Sequence, residues 1–368
     1  SDLKGYESDI IQALANLKIR LVLTAHPTQF YPGTILAIIN DLEIAIRNND
    51  IETVGKLLQQ LAFTSFYKET KPSPVDEANS LIWYLENVFY SAVLSIHKTV
   101  FAILPTNGLV NEDLIELGFW PGGDRDGNPN VTSEVTLTVA ELLRKSIIRK
   151  YYAEIRLIKR HITFNGVFDD IQQIEKQLQG CLSNDCVLNT DELINNLTAI
   201  KNRIDKEFIG LYADEVQNLI NSVMIFGGHF ASIDIRQDSR VLRDVFSRLS
   251  EGKYEDNAFD NDLSRLQWLE NFNLPVLKLD NYADITHDTC ATIQSIKLIQ
   301  QKNGEKGCNR FIISNCGRAS DIIMLYKLFQ ANDWGNGIIP MDFIPLFETI
   351  DDLENCDATM EQIYKNQP

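Results

Sequence analysis

The chain has 368 residues, and 34 Lys and Arg against 51 Asp and Glu give it a formal net charge of −17. Its 44% hydrophobic and 23% charged residues are ordinary for a globular protein, which excludes disordered and fibrous classes. The acidity argues against a nucleic-acid partner, and no apolar run reaches the roughly 18 residues of a membrane span. The first residues lack the features of a signal peptide and do not begin with Met, as in a trimmed or recombinant chain. The length allows two to three domains or one large barrel.

The six cysteines are scattered without a C-x-x-C pair, which favours free thiols in a reducing compartment, the cytoplasm. Cys181 and Cys186, with His161 upstream, could form part of a zinc site. Their spacing fits no standard zinc pattern, so ordinary thiols are the preferred interpretation.

Most of the chain shows the three- and four-residue apolar spacing of amphipathic helices. Helices are predicted at 35–47, 74–97, 133–160, 191–206, 213–224 and 288–302. Residues 132–134 and 190–192 supply capping side chains and first-turn acids for two of them. The polar stretches 176–190 and 252–262 are predicted to be surface connections.

Five short apolar runs are too brief and too rich in β-formers for helices and predict buried strands. They lie near 21–25, 118–120, 230–235, 311–314 and 343–347. Long helical elaborations, 35–100 and 133–224, separate the first three runs. This alternation predicts an α/β fold with predominantly helical content and a parallel sheet or barrel.

Polar residues follow each of these runs, and the carboxyl ends of parallel strands are where such folds place ligands. His26 follows the first run and can move protons near neutral pH, although a lone His is more often structural. Arg236 follows the third run and suits capture of phosphate or carboxylate, unless it only faces solvent. Glu348 ends the fifth run, where a buried carboxylate requires an Arg or a divalent cation as partner.

Residues 122–129 read GGDRDGNP and superficially match a calcium loop. The match fails because Gly127 takes the fourth loop position instead of the sixth and Val135 stands at the twelfth. A tight loop that presents Arg125 between two acids is favoured instead. The chain also lacks G-x-G-x-x-G, P-loop and H-E-x-x-H signatures, so dinucleotide, P-loop and zincin functions have no support.

Four long motifs closely resemble those of phosphoenolpyruvate carboxylase, in the order that family has them. They are 24–29 (TAHPTQ), 122–129 (GGDRDGNP), 234–239 (DIRQDS) and 345–353 (PLFETIDDL). Weaker matches at 71–78, and at 313–315 with 319–321, extend the resemblance over essentially the whole chain.

The resemblance implies carboxylation of phosphoenolpyruvate by bicarbonate to oxaloacetate and phosphate, an anaplerotic lyase reaction that needs Mg²⁺ or Mn²⁺ and no biotin. By resemblance, His26 is the catalytic residue of the carboxyphosphate stage, Arg236 binds the substrate phosphate and Glu348 is a metal ligand. Arg125 and Asp126 shape the same pocket and are assigned to substrate binding. The family also implies a cytoplasmic homotetramer without a membrane partner.

The chain departs from the family pattern in two ways. Residues 30–34 (FYPGT) replace the paired arginines that usually follow the histidine motif. The family's chain also continues well beyond the Glu348 motif, with a second metal carboxylate, a Gly- and Arg-rich loop and C-terminal helices. We therefore expect residues 1–368 to be a single partial domain, five of eight strands of an incomplete TIM-like barrel, with little turnover alone. The alternative is a non-catalytic relative that uses the scaffold as a binding or regulatory module.

Overall fold

The computed structural model describes residues 7–24, 31–66, 72–103, 111–183, 186–275, 284–335 and 337–366. The strands are β1 (Ile19–Leu23), β2 (Ile115–Phe119), β3 (Ser232–Asp238), β4 (Arg310–Ser314) and β5 (Asp342–Pro345). The helices are α1 (Glu7–Asn16), α2 (Gly33–Arg47), α3 (Ile51–Phe63), α4 (Pro74–Tyr84), α5 (Tyr90–Ile103), α6 (Ser133–His161), α7 (Val167–Ser183), α8 (Thr190–Glu207), α9 (Ala213–Phe226), α10 (Ser239–Leu249), α11 (Asp262–Asn271), α12 (Asp284–Asn303), α13 (Ala319–Phe329), α14 (Ile350–Glu354) and α15 (Cys356–Lys365).

The five strands form one parallel sheet in the order β1-β2-β3-β4-β5. All five predicted strands are therefore confirmed, with β2 beginning three residues before its predicted start, at Ile115. Sequence order and spatial order agree throughout, as expected when right-handed crossovers return each strand beside its predecessor. The α/β class and its predominantly helical content are confirmed.

The two faces of the sheet differ in chemistry because side chains alternate along each strand. One face carries Phe119, Ile233, Ile235, Phe311 and Ile313, which are buried in the core formed with the helices. The opposite face carries a row of charges across the first four strands. They are Arg20, Glu116, Asp234, Arg236 and Arg310.

The six predicted helices are confirmed, although a π-helical turn, Leu85–Phe89, divides 74–97 into α4 and α5. Four of the six extend by two or more residues at one end. Thr132 caps α6 as expected, with its side chain accepting from the Val135 N–H. The cap of α8 is Asn189, whose Oδ1 accepts from the Glu192 N–H, and Thr190 already lies within the helix. None of the described helices has both the length and the apolarity needed to span a membrane.

The prediction of a surface connection over 176–190 is wrong for its first half, because α7 continues to Ser183. Ile171, Ile174, Leu178 and Cys181 keep a helical spacing and are buried. Burial of this stripe outweighs the weak helix propensity of the Gly180 position.

The predicted connection over 252–262 is irregular as expected but is not simply exposed. Tyr254 is fully buried and stacks on Phe259 and against Trp268. Asp256 accepts hydrogen bonds from Arg318, Arg265 and Tyr254. Burial of Tyr254 and the hydrogen bonds to Asp256 therefore hold this segment in place. Its polar composition gave no indication of either.

Cys181 and Cys186 are joined by a disulfide, so the prediction of free thiols is wrong for this pair and the zinc interpretation does not apply to it. Cys290, Cys308 and Cys316 are free and buried. Burial raises the pKa of Cys290 to about 11 and that of Cys316 to about 12, so both thiols stay protonated at neutral pH.

Candidate active site

The loop that follows β2 docks on the backbone of β3 beside Arg236. The Arg236 N–H donates to the Gly123 carbonyl at 2.9 Å, and the Arg125 N–H donates to the Arg236 carbonyl at 2.9 Å. The approach is so close that a Cβ at Gly123 would overlap the Asp234 carbonyl oxygen. The carboxylates of Asp124 and Asp126 are thereby held next to the Arg236 side chain.

Three carboxylates surround the Arg236 guanidinium. Its Nη1 lies 3.3 Å from Asp124 Oδ2, and its Nη2 lies 2.9 Å from Asp126 Oδ2 and 3.1 Å from Glu348 Oε1. One guanidinium against three carboxylates gives a formal charge of 1 − 3 = −2. Partial burial opposes ionisation, but the Asp124 and Glu348 carboxylates outweigh it and raise the pKa of Arg236. A group of this net charge favours a cation beside it, and an anion can bind Arg236 only by displacing a carboxylate.

Burial raises the pKa of Asp124, and the charge of Arg236 opposes this rise. The Arg236 guanidinium also lies 5.5 Å from the centre of the Trp120 ring, a cation–π contact.

A cleft of about 360 Å³ opens beside these residues, at the carboxyl ends of β1 and β2. Its lining includes Thr24, Glu77, Trp120, Asp124 and Asp126. The predicted catalytic residue His26 lies outside the described residues. Thr24, two positions before it in the same motif, lines the cleft.

Arg125 has its side chain on the helix side of the sheet. Its Nε donates to Gln237 Oε1 at 2.9 Å, its Nη1 to Thr292 Oγ1, and its Nη2 to Asp288 Oδ2 at 2.6 Å. Burial lowers the pKa of Arg125, an effect that Asp288 opposes. Arg125 therefore ties the loop to α12 and does not contact the carboxylate group around Arg236.

The structure thus brings together three of the predicted site residues, Arg236, Asp126 and Glu348. Sequence reasoning did not single out Asp124, Trp120, Asp234 or Asp288. Asp124 and Asp126 flank Arg125 within one short motif. Because alternate residues of an extended segment point to the same side, Asp124 could have been predicted to lie beside Asp126. Trp120 also had a signal, because it ends a predicted strand directly before the motif.

A divalent cation fits the donor chemistry of this group. Among the described residues, no group of three or more His, Cys, Asp or Glu side chains is arranged to hold a metal ion. Mg²⁺ in phosphate-handling sites commonly takes only one or two protein carboxylates and completes its shell with water and substrate oxygens. Glu348 and Asp126, both bound to Arg236 Nη2, are hard oxygen donors of that kind.

A parallel sheet flanked by helices, with an arginine and several carboxylates grouped toward its carboxyl edge, defines the class, an α/β protein with a charged group where such folds place ligands. Comparison of the sequence with known protein families identifies the family. The sequence model of the family described as phosphoenolpyruvate carboxylase matches residues 3–185 and 169–368, so the chain belongs to this family.

Curated relatives named phosphoenolpyruvate carboxylase agree with this assignment. The protein from Trichormus variabilis is 24% identical and that from Nostoc sp. is 25% identical, each over 97% of this chain and 43% of the relative. The protein from Aeromonas hydrophila is 27% identical over 96% of this chain and 45% of the relative. The chain therefore spans less than half the length of these relatives, and the resemblance seen in the motifs is confirmed.

Proposed function

We propose that the protein containing this chain carboxylates phosphoenolpyruvate with bicarbonate to give oxaloacetate and phosphate, as an anaplerotic carboxy-lyase. The observation that carries the proposal is the arrangement of Arg236 with Asp126 and Glu348 at the carboxyl edge of the sheet. Family membership supports it, because the matched relatives are named for this activity.

In the proposed mechanism, Arg236 binds the substrate phosphate. A guanidinium can give two parallel N–H bonds to phosphate oxygens, which fixes orientation as well as charge. The Trp120 ring limits where the guanidinium can move, and Asp124 holds Nη1 from the loop side. Arg125 is given a positioning role in place of direct substrate binding, because its bonds to Gln237 and Asp288 keep the loop carrying Asp124 and Asp126 on β3.

Glu348, with Asp126, would hold Mg²⁺ or Mn²⁺, and the bound ion supplies Lewis-acid stabilisation of phosphoryl and enolate charge. His26 follows β1 in sequence, and its proposed role is proton transfer at the carboxyphosphate stage. No role in this scheme requires biotin.

We also propose that the sheet is part of an incomplete TIM-like barrel. The consecutive strand order supports this, because the strands of such a barrel are neighbours in sequence order. The charged face carrying Arg20, Glu116 and Asp234 would then line the barrel interior. A cytoplasmic homotetramer remains the proposal for the whole protein, on the basis of the family.

Replacement of Arg236 in the full-length protein tests the function. Arg236→Gln should raise KM for phosphoenolpyruvate and lower kcat/KM by about 10²-fold or more, because a charge-assisted donor to phosphate is lost. Oxaloacetate is followed by coupling to malate dehydrogenase. Arg248→Gln, an exposed arginine of α10 paired with Asp244, is the matched control. Unchanged kcat/KM in Arg236→Gln would refute the proposed site.

His26→Asn in the full-length protein separates the enzyme from the alternative, a non-catalytic relative that uses the scaffold for binding or regulation. Loss of oxaloacetate with retained phosphate release supports the assigned stage, and an unchanged rate contradicts it. Little turnover by the 368 residues alone stays a prediction of the resemblance. Robust metal-dependent oxaloacetate formation by them in the same coupled assay would contradict it.

A further inference from the structure

Arg20 of β1 reaches across β2 to a carboxylate on β3. Its Nη2 lies 2.5 Å from Asp234 Oδ1. The intervening strand, β2, has no side chain at Gly118. An added Cβ there would lie only 3.0 Å from Arg20 Nη2 and 3.1 Å from Arg20 Nε. Gly118 therefore leaves the space that the Arg20 guanidinium occupies.

Asp234 connects Arg20 to the site. The Asp234 side chain is 2% exposed, and its second oxygen, Oδ2, accepts from Trp120 Nε1 at 3.1 Å. The ring of the same Trp120 lies under the Arg236 guanidinium. A buried carboxylate requires partners of this kind, since its transfer from water is otherwise very unfavourable.

The charges that face Asp234 come from neighbouring strands. Arg20 Nη1 also contacts Glu116 Oε2 at 3.4 Å, and Arg310 Nη2 reaches the same oxygen at 3.2 Å. Asp234 lies opposite Arg310 in the pairing of β3 with β4. Arg20 is thus the guanidinium that directly contacts Asp234, while Arg310 pairs with Glu116.

We infer that Arg20 is a positioning residue for the phosphate-binding group, acting on Arg236 through Asp234 and Trp120. The inference rests on the proposed function, in which Arg236 binds the substrate phosphate. Asp234 and Arg236 lie two residues apart on one face of β3, or about 7 Å. Without Arg20, the charge of the Asp234 carboxylate is no longer neutralised and adds a fourth negative charge near Arg236. The ion pair that orients this carboxylate toward the Trp120 indole is also lost.

The consequence is specific to anion binding. A carboxylate at this distance weakens phosphate binding through its field, whereas the steps after binding involve other groups. Arg20 should therefore affect KM for phosphoenolpyruvate and affinity for inorganic phosphate more than kcat. A residue that only stabilised the fold would not produce this split between KM and kcat.

The test uses the full-length protein with inorganic phosphate as the probe, measured by isothermal titration calorimetry. Arg20→Gln should weaken phosphate binding by about 5-fold or more and raise KM similarly, with kcat within about 2-fold. Arg20→Lys should retain most of the affinity, because it keeps the charge. Adding Asp234→Asn to Arg20→Gln should recover affinity, since the amide is neutral and its oxygen still accepts from Trp120.

Unchanged phosphate affinity in Arg20→Gln would overturn the inference, and so would a double variant that binds no better than Arg20→Gln. Gly118→Ala adds a methyl group that crowds the Arg20 guanidinium without a change of charge. It should weaken phosphate binding less than Arg20→Gln does, and a larger loss than in Arg20→Gln would count against the inference. Arg236→Gln tells the two failures apart: if it leaves phosphate binding intact, the proposed function itself fails.

Discussion

Arg236 and Glu348 lie 112 residues apart in the chain, and their side chains form an ion pair with Nη2 3.1 Å from Oε1. The proposed function gives these two residues ligands of opposite charge, a phosphate for Arg236 and a cation for Glu348. Each ligand competes with the ion pair for its residue. Binding of one ligand therefore releases the partner residue for the other, which makes the two binding events mutually favourable.

This pair predicts the behaviour of Glu348→Gln. Without a metal ion, the variant should bind inorganic phosphate more tightly than the parent by about 2- to 10-fold, because one competing carboxylate is gone. Mg²⁺ should no longer increase the affinity. Calorimetric titration with phosphate, with and without Mg²⁺, measures both effects.

Glu354→Gln makes the same charge change on the exposed surface of α14 and serves as the control. It should leave phosphate affinity and its Mg²⁺ dependence as in the parent. Weaker metal-free phosphate binding in Glu348→Gln would show that the ion pair does not restrain Arg236.

The sequence predicted the strands well because their apolar runs are short, rich in β-formers and bounded by polar residues. It placed Glu348 correctly just beyond the end of β5, whereas Arg236, expected after the third run, lies within β3, which continues to Asp238. A parallel sheet then brings the carboxyl-terminal parts of its strands together. It did not predict that Arg125 turns to the helix side, because Gln237, Thr292 and Asp288 belong to segments distant in sequence. The alternation of side chains along a strand is visible in the local sequence. The contact of Arg125 with Asp288, 163 residues away, is not.

Asp288 is predicted to stabilise the loop that carries Asp124 and Asp126. Its Oδ2 accepts from Arg125 at 2.6 Å and its Oδ1 accepts from the Ser133 N–H at 3.0 Å, so it joins the loop to the start of α6. Asp288→Ala should lower the free energy of unfolding by about 1–3 kcal/mol, because it leaves a buried guanidinium with fewer partners. Urea denaturation gives this value.

Hydrogen exchange checks that the effect is local. The Arg125 amide, which donates to the Arg236 carbonyl, should exchange faster in Asp288→Ala. Gln301→Ala, at an exposed position of the same helix, should change neither quantity. An unfolding free energy within about 0.5 kcal/mol of the parent would contradict the role given to Asp288.

Asp256 should make stability depend on pH. Burial opposes its ionisation, but hydrogen bonds from Arg318 and Tyr254 outweigh burial and lower its pKa below the ordinary value of 3.8. A depressed pKa means that the stabilisation is present above that ordinary value and is lost as the pH falls through the folded-state pKa. Asp256→Asn should therefore be less stable than the parent by about 1–2 kcal/mol at pH 7, with a smaller difference below about pH 4.

Urea denaturation at both pH values measures the difference. Asp260→Asn removes an exposed carboxylate four residues away and should show no such pH dependence. A stability difference for Asp256→Asn that stays constant from pH 7 to below about pH 4 would show that its charge does not contribute.

Gly123→Ala should separate the loop from β3. The new methyl group would overlap the Asp234 carbonyl oxygen, a backbone atom of the central strand that cannot move aside as a side chain can. The bond from the Arg236 N–H to the Gly123 carbonyl and the one from the Arg125 N–H to the Arg236 carbonyl would both lengthen. We expect kcat/KM for phosphoenolpyruvate in the full-length protein to fall by about 10²-fold, since small misplacements of binding groups are costly. The unfolding free energy should fall by about 1–3 kcal/mol.

Gly180→Ala is the matched control. Gly180 lies in α7 with no atom within 4 Å of the added Cβ, so this variant should keep activity and slightly raise stability. If Gly123→Ala retains parental kcat/KM, the docking of this loop on β3 does not position the site.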